Sequence, residues 1–251
     1  MDNVHENSTH LFGLVGRNIS YSFSRGYFSD KFQKLQLTGH HYTNFDIQSI
    51  EEFPDVITQN PTLIGLNVTI PYKELIIPFL TSLDQTAKAI GAVNTIKITP
   101  EGLIGYNTDY YGFMASLEPH LQPHHTHALI LGTGGASKAV LYALLQLGIT
   151  PTLVSRTKSP DTLTYDCLSS EVMAQNTVII NCSPVGTYPN ITDKPELPYS
   201  FVTTKHLLYD LIYNPEQTAF LKEGALKGAI TVNGSKMLQL QAEKAWEIWN
   251  S

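Results

Sequence analysis

Lys73 closes the segment Asn67-Val68-Thr69-Ile70-Pro71-Tyr72-Lys73, in which an apolar strand runs into a proline. Proline suits the first turn of a helix, so the segment predicts Lys73 just inside a helix N-terminus. An ammonium facing the positive end of a helix dipole is placed for proton exchange. A surface lysine with a snorkelling stem is the plainer reading of the same residues. Asn107-Thr108-Asp109 supplies an acidic group and reads equally well as the cap of the helix after it. Ser20, Ser22 and Ser24 follow the first strand. Their hydroxyls and N–H groups suit a carboxylate, although a serine-rich turn needs no ligand.

The run Leu129-Ile130-Leu131-Gly132-Thr133-Gly134-Gly135-Ala136-Ser137 joins an apolar strand to a glycine-dense turn and a helix. Ala136, Ala139, Val140, Ala143, Leu144 and Leu147 recur at helical spacing and give that helix one apolar face. Glycines let the backbone approach a ligand closely, and the helix N-terminus offers N–H groups to a pyrophosphate. This context points to dinucleotide binding, with Ser137 where the usual pattern ends in Gly or Ala. The next strand, Thr152-Leu153-Val154, ends in Ser155-Arg156-Thr157-Lys158. An NAD site usually places an Asp or Glu there for the ribose 2′-hydroxyl. A hydroxyl, a guanidinium and an ammonium suit a 2′-phosphate instead. The expected cofactor is NADP.

The elements that must position these groups alternate along the chain. Residues 11–15, 41–45 and 63–70 read as strands, with an amphipathic helix at 22–37. Residues 92–98 and 103–106 flank Thr99-Pro100-Glu101-Gly102 and read as a hairpin. A helix at 110–117, a polar linker at 122–126 and the nucleotide-binding βαβ unit follow. Further strands are expected at 178–181, 206–211 and 229–232. The basic turn and the next strand are separated only by residues 158–178, so one crossover helix is trimmed or irregular. A last helix at 235–249 carries Leu238, Ala242, Ala245, Trp246 and Trp249 on one stripe. The fold class expected is α/β, with an N-terminal α/β substrate domain over residues 1–110 and an NADP-binding Rossmann domain over 111–233. Residues 234–251 are expected to pack back toward the substrate domain as a helix. Ligands of open α/β sheets sit at the carboxyl ends of strands, which places the active site in the cleft between the domains.

Bulk properties narrow the function. Sixteen Lys and Arg against 22 Asp and Glu give a net charge of −6, and the basic residues are scattered, which argues against a nucleic-acid surface. With 42% hydrophobic and 15% charged residues, global disorder is not expected. Cys167 and Cys182 are the two cysteines, without Cys-x-x-Cys spacing, so neither a disulfide framework nor a cysteine zinc site is indicated. His124, His125 and His127 lie in the polar linker without another Cys or acidic residue at ligand spacing, and no metal is expected. No apolar run approaches membrane-spanning length, and the expected compartment is the cytoplasm.

Several short motifs recur in a characteristic order. Gly13-Leu14-Val15-Gly16 leads to Ser22-Phe23-Ser24; then come the Lys73 segment, Gly91-Ala92-Val93-Asn94-Thr95, and Asn107-Thr108-Asp109 with Gly112. The glycine loop and Ser155-Arg156-Thr157 precede Asn181-Cys182-Ser183 with Gly186, and Tyr209-Asp210 with Tyr213-Asn214-Pro215. Gly234 with Met237-Leu238 and Gln241 completes the series. Together they resemble the shikimate dehydrogenases. The resemblance implies NADPH-dependent reduction of 3-dehydroshikimate to shikimate on the chorismate route to aromatic amino acids.

It also implies roles. Lys73 and Asp109 would be the catalytic pair, Ser22 and Ser24 would hold the substrate carboxylate with Tyr213 nearby, and Thr69, Asn94 and Gln241 would bind carboxylate or ring hydroxyls. Gly132, Gly134, Gly135, Ala136, Ser155, Arg156, Thr157, Lys158 and Gly234 would hold NADP. The expected partners are the small-molecule substrate alone, with no nucleic acid and no membrane, in a monomer or homodimer. Tyr21 and Arg25 replace the family's histidine and proline, Lys236 a glycine, and Thr187 a common methionine. A quinate-type paralogue and a nucleotide-binding sensor without turnover are the alternatives. The presence of both Lys73 and Asp109 argues against the sensor, because binding alone does not require that pair.

Overall fold

The computed structural model describes residues 9–20 and 22–251, so Tyr21 lies outside the described residues. The chain divides into two compact units, Met1–Thr108 with Ala245–Ser251, and Asp109–Lys244.

In the first unit, β1 (His10–Gly16), β2 (His40–Asp46), β3 (Leu63–Val68), β4 (Ser82–Leu83), β5 (Thr95–Thr99) and β6 (Gly102–Tyr106) form one sheet. Its order is β2-β1-β3-β5-β6-β4. β1 pairs in parallel with β2 and β3, whereas β5 runs antiparallel to β3 and returns as β6 in the expected hairpin. Helices α1 (Phe23–Lys34), α2 (Phe53–Gln59) and α3 (Gln85–Ile90) complete the unit. One core packs Val15, Leu66, Val68 and Ile96 against Phe53, Val56, Tyr72 and Ile76. A second, aromatic cluster stacks Phe28 on Tyr42 with 4.7 Å between ring centroids and sets Phe12 and Phe28 at 5.0 and 5.3 Å from Trp249. The Trp249 indole N–H donates to the Ile96 carbonyl at 3.0 Å. A Cβ on Gly65 would lie 2.3 Å from that ring, so β3 needs glycine there.

The expected helix at Pro71 does not form. Tyr72 N–H bonds back to the Thr69 carbonyl at 2.9 Å, and the Lys73 carbonyl accepts from Val93 N–H at 2.7 Å. A carbonyl taken by a distant N–H is lost to a helical i+4 partner. The chain turns instead toward a short 3-10 segment, Ile77–Phe79. Lys73 therefore sits in a turn, with no helix dipole behind it.

The second unit contains β7 (His127–Leu131), β8 (Thr150–Ser155), β9 (Thr162–Thr164), β10 (Val178–Asn181), β11 (Leu207–Asp210) and β12 (Ile230–Val232). All pair in parallel, in the order β12-β11-β10-β7-β8-β9. This is the doubly wound arrangement, whose strand order reverses at a switch point between β7 and β10. Helices α4 (Asp109–Leu117), α5 (Gly135–Gln146), α6 (Ser170–Gln175), α7 (Ala219–Leu226) and α8 (Ser235–Trp249) accompany it. Ala128, Ile130, Val178 and Ile180 face one core, and Leu129, Leu131 and Ile179 the other. Such strands are apolar on both sides because helices cover both faces of a parallel sheet. The crossover after β8 holds only β9, a 3-10 turn and the six-residue α6, which accounts for its shortness. α8 is divided, contributing to the second unit up to Lys244 and to the first from Ala245.

The polar linker at 122–126 is less solvated than its composition suggests. His125 is buried; its Nδ1 accepts from Gln122 N–H at 3.0 Å, and its Nε2–H donates to the Lys205 carbonyl at 3.1 Å. Burial lowers its pKa. Among the described residues, no group of three or more His, Cys, Asp or Glu is arranged to hold a metal ion, and no helix is long and apolar enough to cross a membrane.

Candidate active site

The glycine loop of the second unit lies at the switch point. Gly132 follows β7 with φ +111°, a left-handed conformation that favours glycine, and its Cβ position is 3.4 Å from Cys182 and Ser183 after β10. Gly134 is the N-cap of α5 and supplies no side-chain cap, and a Cβ there would meet open space. Ser137 is small and buried, and its hydroxyl donates to the Gly134 carbonyl at 2.6 Å. The Ser137 N–H donates to the same carbonyl at 2.9 Å, so the turn is closed at the third residue of α5. This geometry fits a pyrophosphate on the helix N-terminus. At the end of β8, Ser155 accepts from Thr157 N–H at 3.1 Å, while Arg156, Thr157 and Lys158 are exposed. These groups fit a 2′-phosphate. Gly234 has a packing reason of its own, since a Cβ would stand 2.1 Å from the Leu211 carbonyl oxygen.

In the first unit, Ser22 is the N-cap of α1 and accepts from Arg25 N–H at 3.4 Å. Ser24, one turn position on, is buried and hydrogen-bonds with the Tyr42 phenol. Two hydroxyls thus stand at the positive end of one helix, a setting that favours an anion. Arg25 is exposed and lines an open groove of about 690 Å³ with Ser29, Gln33, Gln36 and His41 along α1 and β2.

Behind these serines runs a buried polar network absent from the sequence reading. The Tyr42 hydroxyl donates to Asn67 Oδ1 at 2.8 Å, and Asn67 Nδ2 donates to Thr95 Oγ1 at 3.3 Å. Thr95 in turn donates to Asn94 Oδ1 at 3.1 Å. Asn94 Oδ1 also accepts from Thr108 N–H at 2.6 Å, and its Nδ2 donates to Thr108 Oγ1 at 3.0 Å. Burial pushes the Tyr42 phenol upward in pKa against its bond to Ser24, so it stays a neutral donor. Asn94 thereby fixes the backbone immediately before Asp109.

The remaining candidates differ in setting. Thr69 is half-buried at the end of β3, with its N–H bonded to the Val15 carbonyl at 2.9 Å. Asp109 is buried as the first residue of α4, and Gln241 is buried on α8, its amide donating to the Leu238 carbonyl at 3.1 Å. Tyr213 is 40% exposed in the loop after β11. Asp210 just before that loop is a buried carboxylate that the sequence marks only as part of a motif.

The shikimate dehydrogenase substrate binding domain matches residues 14–96. The shikimate dehydrogenase (NADP(+)) of Methanosphaera stadtmanae is 35% identical over 260 residues, covering 96% of this chain and 91% of that protein. Shikimate dehydrogenase 1 from Peptoclostridium difficile, known from its crystal structure, is 38% identical with a TM-score of 0.84, over 96% of this chain and 92% of that one. The shikimate 5-dehydrogenase of Thermus thermophilus, solved in complex with NADP(H) and shikimate, is 28% identical with a TM-score of 0.85, over 96% and 93%. The motif order, the doubly wound sheet with glycines at its switch point and these likenesses agree: the chain belongs to the shikimate dehydrogenase family.

Proposed function

We propose that this chain catalyses the reversible NADPH-dependent reduction of 3-dehydroshikimate to shikimate in aromatic amino acid biosynthesis. The observation that carries the reading is the glycine loop at the switch point, followed by the basic end of β8, in a chain that keeps Lys73 and Asp109 in the family motifs. Gly132, Gly134, Gly135 and Ala136 hold the pyrophosphate of NADP, with Gly234 on the cofactor side. Ser155, Arg156, Thr157 and Lys158 hold its 2′-phosphate. When bound, the nicotinamide supplies or accepts the hydride.

The side chains do the rest. Lys73 donates a proton to the carbonyl oxygen as alkoxide charge develops there, and its ammonium stabilises that charge. Asp109 orients the lysine and shares its proton. Ser22 and Ser24 bind the carboxylate at the start of α1, with Tyr213 beside it. Thr69, Asn94 and Gln241 bind carboxylate or ring hydroxyls. The working form is a monomer or homodimer in the cytoplasm without a nucleic-acid partner, in keeping with the net charge of −6. The direct test adds shikimate and NADP+ to the purified chain and to Lys73→Ala and follows NADPH. The parent should turn over, and the variant should be slower by at least about a hundredfold, the scale of acid–base contributions, while still binding shikimate. Equal rates would remove Lys73 from the catalytic role.

A further inference from the structure

Asp210, the last residue of β11, is a buried carboxylate to which the reaction assigns no proton transfer. Its Oδ1 accepts from Asn181 Nδ2 and from Ile212 N–H, each at 3.1 Å, and its Oδ2 accepts from the Thr218 hydroxyl at 2.6 Å. These donors belong to different pieces of chain. Asn181 ends β10, and its Oδ1 accepts from the N–H and hydroxyl of Ser183 at 3.1 and 2.6 Å, while its Nδ2 also donates to the Val185 carbonyl at 3.3 Å. Ile212 is the second residue of the loop after β11 and adjoins Tyr213. Thr218 closes that loop and caps α7, accepting from Leu221 N–H at 3.3 Å.

One carboxylate therefore fastens two loops that leave the carboxyl ends of adjacent parallel strands, where ligands of doubly wound sheets bind. We propose that Asp210 is a positioning residue that locks the loops after β10 and β11, and with them Tyr213 and the Ser183–Thr187 stretch, in the shape the bound ligands meet. The proposal rests on the function proposed above. Charge is what makes the clamp tight, because hydrogen bonds to an ionised acceptor are about twice as strong as neutral ones.

The same charge is costly to bury. Burial lifts the Asp210 pKa to about 6, against the three donors that lower it. The Cys182 thiol after β10 and the Tyr199 phenol feel its charge, and burial pushes both up, so they stay neutral. α7 brings Lys222 and Glu223, the latter ion-paired with Lys194, and β12 brings no titratable side chain. The clamp should accordingly be charged near neutrality and discharge in mild acid.

Asp210→Asn tests this. An amide keeps the shape and meets all three partners if the Thr218 hydroxyl turns from donor to acceptor, but it carries no charge. At about pH 8 the variant's NADP+ dissociation constant and shikimate KM should each rise about fivefold, the scale of a weakened charge-assisted bond, with kcat changed less. Its melting temperature should not fall, since a buried charge has gone. At about pH 5 the parent is itself protonated, so the parent-to-variant ratios should approach one. Lys73 and Asp109 are the same in both proteins, so their contribution cancels in the ratio. Thr218→Val, which leaves the carboxylate charged but removes one donor, should raise the same two constants at about pH 8.

Constants equal to the parent's at about pH 8, ratios unchanged in acid, or losses that merely follow a lower melting temperature would each overturn the proposal. The NADP+ constant needs no turnover. A parent without shikimate oxidation would count against the proposed function, while the ratio of NADP+ constants would still decide the role of Asp210.

Discussion

At the start of α1, Ser22 already serves as a cap, accepting from Arg25 N–H, and Ser24 is tied to Tyr42. Both oxygens are thus fixed in place before any ligand arrives. The Ser22→Ala/Ser24→Ala double variant should raise the shikimate KM at least about tenfold with a smaller change in kcat, because the carboxylate lies away from the reacting carbon. It should also lose about 1 kcal/mol of stability with the cap. Arg25→Ala should change KM by less than about twofold, since that side chain is exposed along the α1–β2 groove. The reverse pattern in steady-state kinetics would move the carboxylate anchor to Arg25. Asp210 adds a stability effect with a definite sign. Its folded pKa of about 6 exceeds its unfolded value of 3.8, so its contribution is full below pH 3.8 and is lost as pH rises through about 6. That is at most about 3 kcal/mol, and urea unfolding of the parent and Asp210→Asn across this range would show it. Lys73, Asp109 and the two serines stand out in the sequence as candidates because each stands in a contiguous motif. The roles of Tyr42, Asn67 and Asp210 are not, because what matters is a partner 25 or 29 residues away.

Elements with strong periodicity form as their sequences direct, and those governed by distant contacts do not. β10 and α8 carry continuous apolar patterns and occupy the expected residues, Val178–Asn181 and Ser235–Trp249. The segment at Pro71 satisfies a local rule for a helix start, but the bond from Val93 N–H claims the Lys73 carbonyl. α2, α3 and α7 escape the sequence reading because six to eight residues hold too few turns for a 3.6-residue period to show. α3 does carry signals at its ends. Asp84 accepts from Thr86 and Ala87 N–H at 3.2 and 2.7 Å, and Gly91 closes the helix with φ +72°. For α8, the apolar stripe ends in Trp249, which fills the space left by Gly65 and bonds to Ile96. Trp249→Ala should cost about 3–5 kcal/mol in denaturant unfolding, the range for a large buried aromatic. A loss under about 1 kcal/mol would mean that the helix end is not part of the core.

At the scale of the whole chain, the parallel sheet order puts the glycine loop and the end of β8 on the carboxyl side of neighbouring strands. Strand order is a long-range property, but the alternation of strand, glycine turn and helix makes the doubly wound class legible. The mixed sheet of the first unit is less so, since only its β5–β6 hairpin has a local signature. If Arg156 reads the 2′-phosphate, Arg156→Ala should weaken NADP+ binding by about 1.5–3 kcal/mol and NAD+ binding far less. Equal losses in titration calorimetry would point to a general role in the turn. The central claim is the reaction itself. The measurement that addresses it most directly is kcat/KM of the purified chain for shikimate and for quinate, each with NADP+ and with NAD+. The account predicts the highest value for shikimate with NADP+, by at least about tenfold over each other combination, as expected when a charged contact is lost. A higher value for quinate, or for NAD+, or no oxidation of either acid, would contradict it.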